Sequence, residues 1–139
     1  MNLAAQQALR SYQTVSAHTQ VAAADPHRLV QLLLANVIER LAAARGHMER
    51  REVARKGEQI SRALDVIAAL DGSLNLEQGG AIAANLKSLY EYMAVRLVRA
   101  NATEDLGGID EVLALVKSIK EGWDGIGEQA RAAAAAAQP

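Results

Sequence analysis

The stretch GGAIAANLKSLYEYMAVRLVRAN, residues 79–101, carries the clearest structural signal in the chain. Its large apolar residues repeat at intervals of 4, 3, 4 and 4, and they are Ile82, Leu86, Leu89, Met93 and Leu97. Residues three and four apart lie on the same side of an α-helix. The stretch is therefore predicted to be an amphipathic helix that begins near Gly79 and ends near Asn101.

Three other stretches follow the same helical rule. A helix is predicted from Pro26, with Asp25 as its cap, to about Arg45, where Gly46 is expected to stop it. Another is predicted over about residues 49–70, and a last one begins between residues 104 and 108 and carries an apolar stripe to Trp123. Four amphipathic helices joined by short connections favour an all-α fold, an antiparallel four-helix bundle.

The two ends of the chain have weaker patterns than its middle. Residues 3–20 are rich in Ala and Gln and contain few large apolar residues, which predicts an additional short or mobile N-terminal helical segment. The alanine run near the C-terminus has no large side chain to bury. We therefore expect an N-terminal lid segment over residues 1–20, a bundle domain over residues 21–128 and a disordered tail over residues 129–139.

The composition limits the classes of partner. The net charge is −1 over 139 residues, which argues against electrostatic binding of nucleic acid or of an anionic membrane surface. The longest dense apolar run, residues 29–38, is shorter than the roughly 20 residues that span a bilayer, so no membrane insertion is expected. The chain has no cysteine, which suits a reducing cytoplasm.

Side chains that carry catalysis or bind metals follow no familiar pattern. His18, His27 and His47 lack the spacing of metal ligands and are interpreted as solvated. The glycines at 79 and 80 are not followed by the residues of a phosphate-binding loop. The charged run over residues 45–58 mixes arginines with glutamates, which indicates a solvated connection with local ion pairs. We therefore expect no enzyme activity, no cofactor and no metal site.

Apolar residues exceed what one buried stripe requires. The helix predicted over residues 26–45 has apolar residues on more than one side. Tyr90 and Tyr92 lie about 200° apart around their helix axis, so they cannot both face one core. One interpretation is that Tyr90 is ordinary core and Tyr92 ordinary surface. The other is that tyrosines and leucines line a groove for another apolar helix. A homodimer interface on the spare apolar surface is a third alternative.

Several runs of residues occur together, in order, over roughly residues 10–124. They include VAAADPHRLVQLLL (21–34), ISRALDVIAALDGSLN (60–75), GGAIAANLKSLYEYM (79–93) and VLALVKSIKEGWD (112–124). In this combination the chain resembles the FliS family of flagellin-specific export chaperones. Two departures stand out. Residues 34–37 read LANV where the family usually has Leu-Tyr-Asp-Gly, and LRSY (9–12) stands where Asn-Pro-Tyr is often seen.

The resemblance implies a cytoplasmic bundle that binds the C-terminal segment of newly made flagellin. Binding would prevent premature polymerisation and help to deliver flagellin to a component of the flagellar type III export gate. The N-terminal segment would cover part of the groove when no cargo is bound. The residues expected to contact the partner, with the first two forming the lid, are Tyr12, Val15, Leu33, Leu34, Val37, Leu41, Leu86, Leu89, Tyr90 and Met93. The alternative is a self-associating structural bundle with no flagellin cargo.

Overall fold

Four α-helices make up the part of the chain that the computed structural model describes, namely the backbone of residues 25–136 and the side chains of residues 25–127. They are α1 (Pro26–Glu49), α2 (Val53–Gly72), α3 (Leu76–Thr103) and α4 (Leu106–Ala136). No strand occurs among these residues. The predicted all-α fold with four bundle helices is confirmed. The segment predicted over residues 1–20, with Tyr12 and Val15, lies outside the described residues.

Helix α1 begins where the sequence predicts and ends later. The side chain of Asp25 accepts hydrogen bonds from the backbone N–H groups of His27 (3.1 Å) and Arg28 (3.3 Å), and Pro26 takes the first helical position. The predicted stop at Gly46 is wrong, since the helix continues through it to Glu49. The chain turns instead at Arg51, whose φ of 60° lies in the left-handed region.

Helix α3 begins one turn before the predicted start. Asn75 caps it by accepting a hydrogen bond from the backbone N–H of Gln78 at 3.0 Å. Gly80 then leaves the helical conformation, with φ 54° and ψ −130°, which a residue with a Cβ rarely adopts. The glycine pair is therefore a kink inside α3 and not its beginning, and the residues from 75 to 82 around it are all exposed.

Contacts between helix ends show that neighbouring helices run antiparallel. Arg45, near the end of α1, donates from Nε to Asp110 at the start of α4 at 2.6 Å. Trp123, towards the end of α4, donates from Nε1 to the carbonyl oxygen of His27 at the start of α1 at 3.0 Å. Helix α1 packs against α2 and α4, and α3 packs against the same two helices. The four helices therefore form the predicted up-and-down bundle.

Helix α4 extends further than the apolar pattern that predicted it. Gly122, Gly125 and Gly127 do not interrupt it, and the helical backbone continues to Ala136. Alanine has the highest helix propensity of the common residues, which favours continued helix after residue 130. The helical backbone thus passes residue 128, where the bundle domain was expected to end.

All four helices contribute to one apolar core. Its buried residues are Leu34, Val37, Leu41, Ala44 and Met48 of α1, Ile60, Ala63, Val66, Ile67 and Leu70 of α2, Tyr90, Met93, Leu97 and Ala100 of α3, and Ile109, Val112, Leu113 and Val116 of α4. The apolar stripe that predicted α3 is buried at one end and exposed at the other. Met93 and Leu97 are fully buried, whereas Ile82, two residues after the kink, is 71% exposed.

Lys56 is an exception to the prediction that residues 45–58 are solvated. It is 2% exposed, donates to the carbonyl oxygen of Asn101 at 3.0 Å and pairs with the carboxylate of Glu104. The last carbonyl groups of a helix have no partner inside it, so Lys56 satisfies one of them and ties the start of α2 to the end of α3. Elsewhere in the run, local ion pairs form as predicted, for example Arg50 with Glu52 at 2.7 Å.

Candidate functional site

The two ends of the bundle differ in how completely their apolar side chains are covered. We call the end with the connections at residues 50–52 and 104–105 the closed end, and the opposite end, where α1 and α3 begin, the open end. Among the described side chains, α1 has no buried apolar residue before Leu34, and α4 has none after Val116. In α3, Ala83 is the only buried apolar residue before Tyr90. The core therefore reaches the open end on α2, whose Leu70 is 2% exposed, and is incomplete there on α1, α3 and α4.

Apolar side chains at the open end lie along the edge of the core. Half-buried residues there pack against the buried cluster, and we call this set the apolar rim: Val30, Leu33, Leu74, Leu86, Ile119 and Trp123. Leu76, Ile82 and Ile126 at the same end are more than half or about half exposed. Exposed apolar residues at this density, beside an open core edge, are typical of a surface that binds another apolar element.

One corner of the open end is organised around Trp123. Its ring stacks on the ring of His27, with centroids 4.8 Å apart and planes 7° from parallel, in addition to the hydrogen bond to the His27 carbonyl. Gly127 approaches the His27 ring so closely that a Cβ there would collide with it. The interpretation of His27 as solvated is wrong, because its Nε2 is buried and has no hydrogen-bond partner in the described part of the chain.

Hydrogen bonds to Asp124 also connect α1 and α4 at this corner. Asp124 of α4 accepts hydrogen bonds from Lys120 Nζ at 2.8 Å and from Gln31 Nε2 of α1 at 2.7 Å. These two bonds, that from Lys120 first, hold the pKa of Asp124 below its ordinary value. The rim residues of α1 and α4 are thereby held side by side. The spacing of Lys120 and Asp124 indicates their local pair, but no sequence pattern indicates the partner on α1.

The predicted partner-binding residues fall into three groups. Leu34, Val37, Leu41, Tyr90 and Met93 are 0–3% exposed and belong to the core. Leu33, Leu86 and Leu89 are half-buried. Tyr12 and Val15 lie outside the described residues. Side chains that the core encloses have no surface to offer a docked partner, so in this conformation only the half-buried group is accessible. Binding by any of these residues stays a prediction.

The two tyrosines of α3 occupy different environments, as their helical spacing predicts. Tyr90 is 3% exposed, and burial, followed by the nearby charge of Asp71, raises its pKa. Tyr92 is 46% exposed and its hydroxyl donates to the carboxylate of Glu111 on α4. That hydrogen bond is the main reason why the pKa of Tyr92 is raised. Tyr90 is therefore a core residue, and Tyr92 lies on the outside of the bundle.

Arg96 links α3 to the start of α4 beside Tyr92. Its guanidinium donates to Glu111 at 2.8 Å and to Asp105 at 3.0 Å. The pKa of Glu111 is lowered, first by the Tyr92 hydrogen bond and then by Arg96, and the pKa of Asp105 is lowered chiefly by Arg96. Sequence reasoning missed this cluster because its acids are 9 and 15 residues from Arg96 and share no helical spacing with it.

The described part of the chain shows neither a metal-binding cluster nor a membrane-spanning helix. Among its His, Asp and Glu side chains, no group of three or more stands close enough together to hold a metal ion. None of its helices combines the length and the apolar character that crossing a bilayer requires.

Comparison with known proteins gives a consistent result. The model of a family described as "Flagellar protein FliS" matches residues 8–130. Flagellar secretion chaperone FliSB of Pseudomonas aeruginosa is 50% identical over 122 residues, which is 88% of this chain and 97% of that protein. Flagellar secretion chaperone FliS of Vibrio cholerae is 40% identical over 118 residues, covering 85% and 87% of the two chains. The protein of the same name from Salmonella typhimurium is 38% identical over 123 residues, covering 88% and 91%.

Proposed function

The chain belongs to the FliS family of flagellar secretion chaperones, and on that premise we propose that it is a cytoplasmic export chaperone for flagellin. In this proposal it binds the C-terminal segment of flagellin, which is disordered when free, and prevents its premature polymerisation. It then assists the delivery of flagellin to the flagellar type III export gate. The action is non-enzymatic, since it depends on apolar surface and not on a reacting group.

The incomplete core at the open end is the observation that carries the proposal. Its apolar rim and the exposed Leu76, Ile82 and Ile126 offer what an amphipathic segment needs in order to bury an apolar face. Burial contributes about 25 cal/mol for each Å² of apolar area removed from water. Part of that free energy is consumed in ordering a segment that is disordered before it binds. The open end therefore suits transient binding of an apolar helical segment.

We use the exposure of the predicted residues to separate those that contact flagellin from those that support the contact surface. We assign direct contact with flagellin to Leu33, Leu86 and Leu89, which are half-buried. Leu34, Val37, Leu41, Tyr90 and Met93 are placed behind that surface, where they keep the helices at the spacing that the partner requires. This assignment keeps all eight residues in the site but gives the buried five a supporting role.

The N-terminal segment is proposed as a lid. Helix α1 starts at the open end, so residues 1–24 join the bundle directly beside the apolar rim. Tyr12 and Val15 are the large apolar residues that we assign to covering it. A lid of this kind protects an apolar surface from non-specific association. It also lowers the apparent affinity for cargo, because only the uncovered fraction of the protein can bind.

The proposed function is tested by comparing two forms of flagellin. We expect the full chain to bind intact flagellin and to lose measurable binding to flagellin without its C-terminal segment, as followed by isothermal titration calorimetry. A synthetic peptide of that segment should restore the binding. Equal binding to both forms, or to neither, would contradict the proposal. A tight dimer that binds neither form would favour the self-associating structural bundle.

The lid is tested by deleting residues 1–20. The helical circular dichroism of the bundle should be retained, because the buried residues of the four described helices pack against one another. Cargo should bind more tightly or faster, because the competing closed form is lost. The control is a variant in which residues 1–20 keep their length but Tyr12 and Val15 are replaced by serine, and it should behave like the deletion. A sharp drop in affinity for both variants would show that the segment closes over bound cargo and would contradict the competing lid.

A further inference from the structure

A kink at Gly80 separates the first turn of α3, residues 76–79, from the rest of the helix. The backbone of Gly80 has φ 54° and ψ −130°, a combination outside the regions that are open to residues with a Cβ. Sharp kinks arise at proline, at glycine or where a group inserts into the helix, and α3 contains no proline. The kink is therefore a property of this glycine.

The turn before the kink is held in place by contacts along its length. The side chain of Asn75 accepts a hydrogen bond from the N–H of Gln78 at 3.0 Å, and its carbonyl oxygen accepts one from the N–H of Gly79 at 2.8 Å. Leu74, just before this cap, is half-buried and packs against the core. Gly79 lies so close to Ala83 that a Cβ at position 79 would stand 2.6 Å from the Cβ of Ala83. The turn is thus an ordered element and not a frayed helix end.

Packing does not account for the glycine at position 80. A Cβ built on its present backbone would meet no atom within 4 Å, and residues 75–82 are all exposed. Alanine has a higher helix propensity than glycine, so a straight helix with alanine here would be favoured. Backbone conformations of this rare kind are concentrated at binding and catalytic sites, where the strain serves the function. A kink that the core does not require points to a role at the surface.

The kink changes the relation between Leu76 and the apolar stripe of α3. Six residues separate Leu76 from Ile82, so a straight helix would place the two side chains about 120° apart around its axis. In that arrangement they could not both contact one narrow partner. Leu76 is 50% exposed and Ile82 is 71% exposed, on either side of Gly80. A turn of the backbone between them frees Leu76 from the position that regular helical spacing would give it.

We propose that Gly80 is a positioning residue of the docking surface at the open end. Its kink brings Leu76 to the same side as Ile82, where both contact one apolar helical segment. This inference rests on the proposed function and takes the C-terminal segment of flagellin as that partner. Leu76 is then a further contact residue, whereas Gly80 acts only through the direction that it gives to the backbone.

Gly80→Ala separates positioning from stability. The substitution should straighten α3, so thermal unfolding of the full chain should occur at the same or a higher temperature. The dissociation constant for intact flagellin, measured by calorimetry, should nevertheless rise about fivefold, because the contact made by Leu76 is lost. Gly72→Ala is the matched control at the same end of the bundle. A Cβ at position 72 would meet no atom within 4 Å, so flagellin affinity should not change.

D-Alanine at position 80 provides the rescue. The allowed conformations of a D-residue mirror those of an L-residue, and the mirror image of the Gly80 conformation lies in the extended region. This variant adds the same methyl group but should keep the kink and the affinity of the unaltered chain. The chain has no cysteine, so it can be assembled by peptide ligation at a cysteine in place of Ala81, which desulfurisation then converts to alanine.

A double-variant cycle shows whether the kink acts through Leu76. Leu76→Ala should raise the dissociation constant about fivefold, and the double variant with Gly80→Ala should also be about fivefold weaker, instead of about twenty-five-fold. Multiplying effects, equal weakening by L- and D-alanine, or unchanged binding by Gly80→Ala would overturn the inference while the proposed function stands. A full chain that does not bind flagellin would overturn both.

Discussion

Leu41→Ala is expected to lower the free energy of unfolding by about 3 kcal/mol, with little change in the affinity of the folded protein for flagellin. Leu41 is fully buried in the core of the closed half of the bundle. Its truncation removes apolar contacts and leaves a cavity that the antiparallel helices on either side can only partly close. The measurement is urea unfolding followed by far-ultraviolet circular dichroism.

Leu33→Ala is the matched control, because it removes the same atoms from the same helix two turns away. Leu33 is half-buried at the open end, so the loss of stability should be about 1 kcal/mol. Leu33→Ala should weaken flagellin binding more than Leu41→Ala does. If Leu41→Ala weakens flagellin binding as much as Leu33→Ala in samples that are fully folded, then the division between supporting and contacting residues is wrong.

Ile82→Glu is expected to weaken flagellin binding by about thirtyfold, which corresponds to about 2 kcal/mol, while the bundle remains folded. Ile82 is 71% exposed, more than any other large apolar side chain that the structure describes at the open end. A carboxylate at this position would lose its water when an apolar segment docks, and it would have no partner there. Calorimetric titration with intact flagellin gives the affinity, and thermal unfolding shows whether stability is retained.

Val53→Glu provides the comparison at the opposite end of the bundle. Val53 is 60% exposed at the start of α2, so the substitution has the same chemistry on a comparable surface. We expect flagellin affinity to be unchanged. If both substitutions weaken flagellin binding equally, the cause is the change in net charge and not the position of Ile82. If only Val53→Glu weakens binding, the docking surface lies at the closed end.

The helices could be predicted from the sequence because their signals are local. The stripe from Ile82 to Leu97 and the cap formed by Asp25 each depend on residues within a few turns of one another. Helix ends were less predictable, because a glycine can stop a helix, continue it or kink it. Gly46 remains helical while Arg51 takes the left-handed turn, and Gly80 is a kink where a start was expected.

The division between core and surface could not be predicted from the stripe. Ile82 and Met93 belong to one helical pattern, yet the first is exposed and the second is enclosed. Periodicity identifies the side of a helix that is apolar, but not how far along that side the neighbouring helices reach. The candidate site depends on that reach, since it consists of apolar residues that the bundle covers only in part.

Local pattern and a family resemblance therefore sufficed for an all-α bundle, for the opposed directions of Tyr90 and Tyr92 and for membership of the FliS family. The burial of Lys56 against α3, the stack of Trp123 on His27 and the contrast between the two ends required the packed helices. The reason is physical. Helix formation depends on residues three or four apart, whereas burial depends on residues such as Lys56 and Asn101, which are 45 apart in the chain and meet only after the helices pack.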